Sequence, residues 1–401
     1  MAHEGRHNLL RATSREARVE PVELFFDLVF VFAITQLSHR LIAHPDPRGF
    51  IETSLLALAI WWTWINTAWV TNWLDPSRTR VRLLLFAMMG AGLIVSMSIP
   101  DAFSGRGFTF AIAYVAMELG RSLFMIFANR GHNPPNAKNF VRILCWQSAA
   151  AIFWIAGGLA GPELRLWLWA AALAFWSLAP VFYMYVPGLG ASSTADWRID
   201  PHHMAERCGL FIILSLGESI LVMGATFAGM TWDGAGMLAF AAAFVGTAAM
   251  WWIYFNIGAE RAEDVFRASD DPGRVARLAY TYLHLPIVAG IIIAAAAVEW
   301  VIAHPHGAAA THVIVGTVGG PALYLFGNAA FKRATGGQYW PLSHLVGLGA
   351  LAAQAPAAVY IEPWLLALAV AAVVLTVAVW ETLSLGVRHR AIRAAHEGGG
   401  G

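Results

Sequence analysis

The stretch EPVELFFDLVFVFAITQLSH, residues 20–39, begins with Glu20 and is apolar over most of its length, but it contains two further carboxylates, Glu23 and Asp27. A helix needs about 20 such residues to cross roughly 30 Å of hydrocarbon. Residues at positions i and i+4 lie on one face of a helix, so Glu23 and Asp27 share a face. The stretch therefore predicts a membrane-spanning helix with one charged face.

The composition of the whole chain agrees with a membrane environment. Of the 401 residues 58% are apolar and 13% are charged, against about 25% charged in a typical soluble domain. The net charge of +1 offers no global attraction for nucleic acid. Two cysteines provide neither a disulfide framework nor a CxxC pair. We expect the lipid bilayer as partner and no nucleic acid, metal or cofactor, and the oligomeric state is left open.

Counting apolar runs of sufficient length predicts an all-α polytopic membrane protein of about 12 transmembrane helices. The predicted spans are 22–42, 52–73, 81–99, 108–128, 140–160, 166–186, 207–228, 237–257, 278–301, 311–331, 342–360 and 364–385. They divide the chain into a tail, two six-helix halves, a linker and a second tail, with boundaries 1–21, 22–186, 187–205, 206–385 and 386–401.

Weak internal similarity suggests that the two halves are repeats. Trp61-Trp62-x-Trp64-x-Asn66 recurs as Trp251-Trp252-x-Tyr254-x-Asn256 at an offset of 190. Neighbouring spans match at offsets between 186 and 200. Because six is even, the halves would have the same orientation, as in parallel-repeat transporters. Chance alignment of tryptophan-rich segments is the alternative.

The positive-inside rule predicts the orientation. With twelve spans, 21 of the 26 Lys and Arg residues fall on the side shared by both termini, and 4 fall on the other side. One missed or added span would scramble this asymmetry. We therefore expect both termini to be cytoplasmic.

Charges deep inside the predicted spans are the main functional signal, because each costs about 2.5–3.5 kcal/mol even on a lenient insertion scale. Asp27, Glu118 and Glu218 are predicted to lie at depth, with Arg121 as their one deep counter-charge. At least one carboxyl would then be protonated or face water. These three residues are the candidate sites for proton or ion coupling.

Four further charged residues form a predicted network or gate: Glu23, Arg121, Glu206 and Arg207. A purely structural ion-pair network that fixes helix register is the alternative for all of the deep charges. The secondary polar candidates are Asn66, Asn256, His284 and His344. For these, hydrogen bonds between helices are the simpler interpretation.

Two motifs resemble the low temperature requirement A (LtrA) family of bacterial membrane proteins. The pattern E-L-x-F-D-L-x-F-V occurs on Glu23 to Val31, and the pattern H-x-x-E-R…L-G-E-S occurs from His203 to Ser219. Cys208 stands where a bulkier residue is expected. The resemblance implies a polytopic protein of the bacterial inner membrane linked to growth at low temperature, and it implies no particular molecular activity.

Three functional hypotheses are compatible with these observations. The first is a proton-coupled secondary transporter of a small solute, without enzymatic activity. The second is a non-transporting sensor or interaction protein of low-temperature adaptation. The third is a lipid-modifying enzyme with Mg²⁺ held by Glu23 and Asp27, for which a single acidic pair is a weak signal.

Overall fold

A computed structural model of the protein describes residues 8–11, 18–193, 197, 199–230, 232–256, 265–266, 269–336 and 339–398. Several basic residues that contribute to the predicted orientation lie outside these ranges: Arg6, Arg15, Arg198, Arg261 and Arg267.

The described chain is all α-helical, and its helices correspond one to one with the predicted spans. The bounds are α1 Pro21–Ala43, α2 Pro47–Trp73, α3 Thr79–Ser98, α4 Gly107–Asn129, α5 Pro134–Leu159, α6 Pro162–Leu178, α7 Pro201–Ala228, α8 Gly234–Phe255, α9 Pro272–Ala303, α10 Thr311–Ala334, α11 Leu342–Gln354 and α12 Pro363–Gly398. Helix α9 contains a π-helical segment, Ala276–Tyr282, and a short 3-10 turn, Ala358–Tyr360, precedes α12.

Local sequence signals set where many of these helices begin. Seven of the twelve start at a proline: α1, α2, α5, α6, α7, α9 and α12. The fixed φ of proline suits a first helical position, where no N–H partner is needed. Side chains also cap the first turn. Asp46 accepts from the backbone N–H of Gly49 at 3.0 Å, and Asp233 accepts from that of Gly236 at 2.7 Å, which satisfies donors that the helix itself leaves unpaired.

Nine of the described helices are long and apolar enough to cross a membrane, so the chain is a multi-pass membrane protein. Helices α6 and α11 are shorter, at 17 and 13 residues. Helix α2 has 27 residues, but it is rich in Trp, Thr and Asn, and 17 of its residues are buried. A helix enclosed by other helices does not need an apolar surface for lipid, which explains its lower hydropathy.

The predicted end of α6 at residue 186 is wrong. The helix ends at Leu178, two residues before Pro180, which cannot continue the hydrogen-bond ladder. The chain then turns through Tyr183 and Met184, whose φ values are +50° and +51°. At the other end of the chain, α12 continues to Gly398 through most of the segment predicted as a tail from residue 386.

The chain divides into two compact units. Unit 1 comprises Met1–Phe211 and Phe266–Thr281, and unit 2 comprises Ile212–Val265 and Tyr282–Gly401. The division therefore falls inside α7 and α9, whereas the sequence suggested a boundary in the linker 187–205. In unit 1, α2 packs against α1, α4 and α6, and α4 packs against α3 and α5. In unit 2, α8 packs against α12, and α9 lies along α10.

Candidate functional site

The two carboxylates of α1 meet two basic side chains of α7. Glu23 Oε1 lies 2.9 Å from His203 Nε2, and Asp27 Oδ1 lies 2.8 Å from Arg207 Nη2. All four side chains are 0% exposed. We call Glu23, Asp27, His203 and Arg207 the α1–α7 charge cluster.

The spacing of these residues explains why they meet. Glu23 and Asp27 are four residues apart, as are His203 and Arg207, so each pair lies on one face of its own helix. Both contacts join residues 180 positions apart. Along both helices the Glu23–His203 contact comes first and the Asp27–Arg207 contact comes second. The helix α1 and the first turns of α7 therefore run in the same direction.

The Glu23–His203 pair, which we call the outer pair of this cluster, is fully hydrogen-bonded. Glu23 Oε2 accepts from Arg11 Nη2 at 3.0 Å and from the backbone N–H of Glu20 at 2.9 Å. The Asn72 amide nitrogen faces His203 Nδ1 at 3.3 Å, and the Asn72 amide oxygen accepts from the Asp200 N–H. His203 Nδ1 must therefore accept, so its Nε2–H donates to Glu23. This assigns the Nε2–H tautomer.

The Asp27–Arg207 pair, which we call the inner pair, is only partly hydrogen-bonded. Asp27 Oδ1 accepts from Arg207 Nη2 and from the indole N–H of Trp64, both at 2.8 Å. The Arg207 guanidinium also lies 5.7 Å from the Trp64 ring centre. Among the described residues, however, Asp27 Oδ2 and the Nε and Nη1 atoms of Arg207 have no hydrogen-bond partner. Unsatisfied buried charge of this kind is costly and calls for an explanation beyond packing.

A second buried cluster lies on α4 and its neighbours. Glu118 Oε2 lies 2.6 Å from Arg121 Nη2 and accepts from Gln147 Nε2 at 2.8 Å. Arg121 Nη1 also donates to Thr67 Oγ1 at 3.2 Å. Asn66 Nδ2 lies 3.5 Å from the same Glu118 oxygen. We call Glu118, Arg121 and Gln147 the α4 charge cluster.

Unit 1 also contains a cavity of about 100 Å³ beside the α4 charge cluster. Arg121 and Gln147 line it together with aromatic side chains of α2, α5 and α6 and with residues of the π-helical segment. A smaller cavity reaches Glu118 and shares Gln147 with the first. Gln147 thus connects the cavity wall to the buried carboxylate. We call the larger space the unit 1 cavity.

Comparison with known proteins assigns the chain to a family. The sequence profile of the bacterial low temperature requirement A protein (LtrA) matches residues 18–379, nearly the whole chain. The chain belongs to the LtrA family. It is also 38% identical over 387 residues to an uncharacterized protein of Rhizobium meliloti (strain 1021), covering 96% of this chain and 94% of that protein. No solved structure matches it.

The two LtrA motifs supply the whole α1–α7 charge cluster. Glu23 and Asp27 come from the first motif, and His203 and Arg207 come from the second. The expectation that Arg121 is the one deep counter-charge is wrong, because Arg207 is fully buried and pairs with Asp27. Arg121 pairs with Glu118 on its own helix.

The remaining predicted site residues lie apart from these contacts. Glu206 lies on α7 next to Arg207 and accepts from the backbone N–H of Val19 at 3.1 Å. Glu218 is buried in α7 and falls in unit 2. Neither residue contacts the α1–α7 charge cluster through the hydrogen bonds described above.

The secondary polar candidates of unit 2 make helix-to-helix or local contacts. His284 Nε2 lies 2.8 Å from the Tyr254 hydroxyl, and Asn256 donates to Thr382 Oγ1 at 2.8 Å. His344 is buried, with Nδ1 3.2 Å from the hydroxyl of its neighbour Ser343. The contacts of His284 and Asn256 fit the simpler interpretation, in which polar side chains join helices, whereas the contact of His344 stays within its own helix.

Sequence reasoning missed several members of the two clusters. His203 was recognised only as part of a motif, although its i, i+4 spacing to Arg207 mirrors that of Glu23 and Asp27. Gln147 carried no signal, and Trp64, which donates to Asp27, was noted only in the repeat, since single amides and indoles are common in apolar helices. Another ion pair that was missed is in unit 2, where Lys332 Nζ lies 2.6 Å from Glu381 Oε1.

The geometry opposes a Mg²⁺ site at Glu23 and Asp27. Both carboxylates already contact cationic or N–H donor groups, namely Arg11, His203 and Arg207. A divalent cation placed between them would lie against these positive groups, whereas Mg²⁺ prefers oxygen ligands.

Proposed function

We propose that this LtrA protein is a proton-coupled secondary transporter of a small solute. The observation that carries the proposal is the buried Asp27–Arg207 pair, in which both partners retain unsatisfied polar atoms among the described residues. A pair kept only for stability would be replaceable by apolar side chains at little cost. Ionisable groups inside membrane proteins usually belong to ion pathways or proton relays.

A proton can switch this pair. Protonation of Asp27 removes the charge that holds Arg207, and the attraction is strong because the pair is shielded from water. Arg207 then has to find another acceptor or move toward water, which favours a different position of α7 against α1. Two such arrangements, selected by a proton, are what alternating access requires.

In this proposal the unit 1 cavity binds the solute, and the α4 charge cluster couples to it. Gln147 lines the cavity and donates to Glu118, whose second oxygen, Oε1, has no hydrogen-bond partner among the described residues. Solute that displaces Gln147 would change the environment of Glu118. Glu218 is the candidate coupling residue of unit 2. The cycle contains no catalytic step.

The proposal includes twelve membrane crossings built from two parallel six-helix repeats. Several helix pairs of unit 1 recur in unit 2 six helices later: α2 with α6 recurs as α8 with α12, α3 with α4 as α9 with α10, and α4 with α5 as α10 with α11. The parallel contact of α1 and α7 supports an odd number of crossings between them, as the five helices α2 to α6 provide. The positive-inside asymmetry supports cytoplasmic termini in the bacterial inner membrane.

The test is proton flux into proteoliposomes that contain the full-length protein and a pH-sensitive dye. We expect Asp27→Asn to abolish solute-dependent proton flux. The control is Glu52→Gln, which breaks another buried ion pair of unit 1, with Arg40 at 2.5 Å, at the opposite end of α1. This control should lower stability and leave the proton-to-solute ratio unchanged.

The outcomes separate the hypotheses. Full proton flux in Asp27→Asn would contradict coupling through this pair. No flux in the wild-type protein, combined with a changed melting temperature or changed partner capture in Asp27→Asn, would favour the sensor or interaction protein.

A further inference from the structure

The unit 1 cavity has flat aromatic walls. Five tryptophans line it, and two of them, Trp62 and Trp176, pack edge to face with ring centres 6.4 Å apart. Trp69 and Trp73 also pack together, at 5.8 Å. Aromatic rings bury large apolar area and favour stacked or edge-to-face contact with another ring. The walls therefore suit a ligand with a flat apolar body.

The cavity is of single-ring size. A comparable apolar cavity of roughly 150 Å³ holds benzene, and this one measures about 100 Å³. Its walls also offer polar atoms, among them Ser122 and Thr281. Ser122 and Thr281 already donate to Gln147 and to the Ala276 carbonyl, so a polar end of the ligand has to be matched by another group of the wall.

Arg277 determines the charge of that polar end. Its guanidinium lines the cavity, donates to the Pro180 carbonyl at 3.0 Å and lies 5.5 Å from the Tyr183 ring centre. Among the described residues no carboxylate lies within 4.0 Å of it. The other arginine of the wall, Arg121, is neutralised by Glu118. Arg277 thus has donors in a fork that matches a carboxylate.

The backbone around Arg277 has the irregularity that functional sites often show. Arg277 lies in the π-helical segment Ala276–Tyr282, and π-helical turns occur frequently at such sites. Opposite it, Tyr183 and Met184 both line the cavity with positive φ. Non-glycine residues are rarely held in this conformation, and those that are cluster at ligand sites.

We propose that the unit 1 cavity binds a small aromatic carboxylate, with its ring between the tryptophans and its carboxylate on Arg277. That such a carboxylate is a transported substrate rests on the proposed transport function, whereas its binding to the cavity does not. An organic cation, which aromatic walls also attract, is repelled by Arg277.

The experiment measures binding by calorimetry to the purified full-length protein. The probes are benzoate, its neutral analogue benzamide and the cation benzylammonium. We expect benzoate to bind most tightly. Arg277→Gln should raise the Kd for benzoate about 10- to 100-fold, the loss of a hydrogen bond to a charged group, and Arg277→Lys should recover part of this loss. The matched control Arg274→Gln changes an exposed arginine one turn earlier and should leave the Kd unchanged.

Each alternative result is decisive. Equal or tighter binding of benzamide or benzylammonium to the wild-type protein would overturn the proposal without any variant. So would an absence of benzoate binding at millimolar concentration, or an unchanged Kd in a folded Arg277→Gln. Benzoate binding without benzoate flux would contradict the transport function and leave the binding site standing. Proton-coupled flux of another solute without benzoate binding would contradict the proposed binding site and leave the transport function standing.

Discussion

At the scale of single residues, the α1–α7 charge cluster depends on matching spacings. An i, i+4 pair of carboxylates faces an i, i+4 pair of basic residues, and both contacts have the same offset of 180. A shift of either helix by one residue would rotate its pair by about 100° and break both contacts at once. The cluster therefore fixes the register of α1 against the first turns of α7.

Trp64 provides a test of how much a neutral donor stabilises the inner pair. Its indole N–H donates to charged Asp27, whereas that of Trp62 donates to the neutral Ser177 hydroxyl at 3.0 Å. We expect Trp64→Phe to destabilise the protein by about 1.5–3 kcal/mol through this hydrogen bond, and Trp62→Phe by about 0.5–1.5 kcal/mol. Unfolding in SDS, followed by circular dichroism, measures both.

The two variants lose similar ring area, so their difference reports mainly the charge of the acceptor. Equal losses would mean that Asp27 is uncharged in the resting protein, and the switch proposed for the pair would have to start from its protonated form.

At the scale of helices, α9 and α10 in unit 2 approach each other through glycine. A Cβ on Gly320 would lie 2.7 Å from the backbone nitrogen of Ala294, and a Cβ on Gly290 would lie 2.5 Å from that of Tyr324. Backbone atoms cannot move aside as a flexible side chain can. Glycine at these positions is therefore a requirement of the close approach between the two helices.

Two adjacent glycines of α10 give a matched comparison. Gly320→Ala should destabilise the protein by about 1–3 kcal/mol, because the added methyl overpacks the helix crossing. Gly319→Ala meets no heavy atom within 4 Å and should be neutral or stabilising by up to about 1 kcal/mol, since alanine favours the helix. SDS unfolding of the purified variants distinguishes the two. Similar effects of both would contradict the close crossing.

Helix positions could be predicted well from the sequence, but some helix ends could not. The apolar runs locate each helix, and prolines and caps such as Asp46 set many starts. The end of α6 was predicted too far along the chain because residues 179–186 are apolar. Pro180 nevertheless follows the true end at Leu178. The π-helical segment of α9 was not predictable, since its residues form an ordinary helical pattern.

At the scale of the whole molecule, three connections of unit 2 meet in a loop cluster. His306 Nε2 lies 3.0 Å from Asp233 Oδ2, and His306 Nδ1 lies 3.6 Å from Glu362 Oε1. The hydrogen bond to Asp233 raises the pKa of His306 above 6.5 and lowers that of Asp233 below 3.8. A hydrogen bond from Trp364 is the main cause that lowers the pKa of Glu362 below 4.5.

These shifts predict a pH window for stability. The contribution of His306 is complete below pH 6.5 and is lost as the pH rises through its raised pKa. The contributions of Asp233 and Glu362 are present above about pH 4.5 and are lost as the pH falls through their lowered pKa values. The cluster should therefore stabilise the protein most between about pH 4.5 and 6.5.

The measurement is the difference in melting temperature between the wild-type protein and His306→Gln as a function of pH. It should be largest inside the window and shrink on both sides, and it should be small overall because the three side chains are exposed. The nearby exposed His304, changed to Gln, serves as the control and should give a flat difference. A difference that grows above pH 6.5 would contradict the assignment.

The orientation proposed for the chain is tested by labelling from outside the cell. In a variant without Cys145 and Cys208, a cysteine replaces Ser77 in the α2–α3 loop or Ser104 in the α3–α4 loop; both positions are exposed. We expect an impermeant maleimide to label Ser104→Cys in intact cells and Ser77→Cys only after permeabilisation. The opposite pattern would place the termini outside.

The sequence by itself determined the fold class, the approximate place of each helix and the family, because hydropathy and motifs are local properties of the chain. It also identified most of the buried charges. Only the tertiary structure decided the partners that lie far apart along the chain: Asp27 pairs with Arg207 and Glu23 with His203. The unit 1 cavity likewise exists only in three dimensions. Pairing across 180 residues depends on how helices pack side by side, and no local pattern of residues encodes that distance.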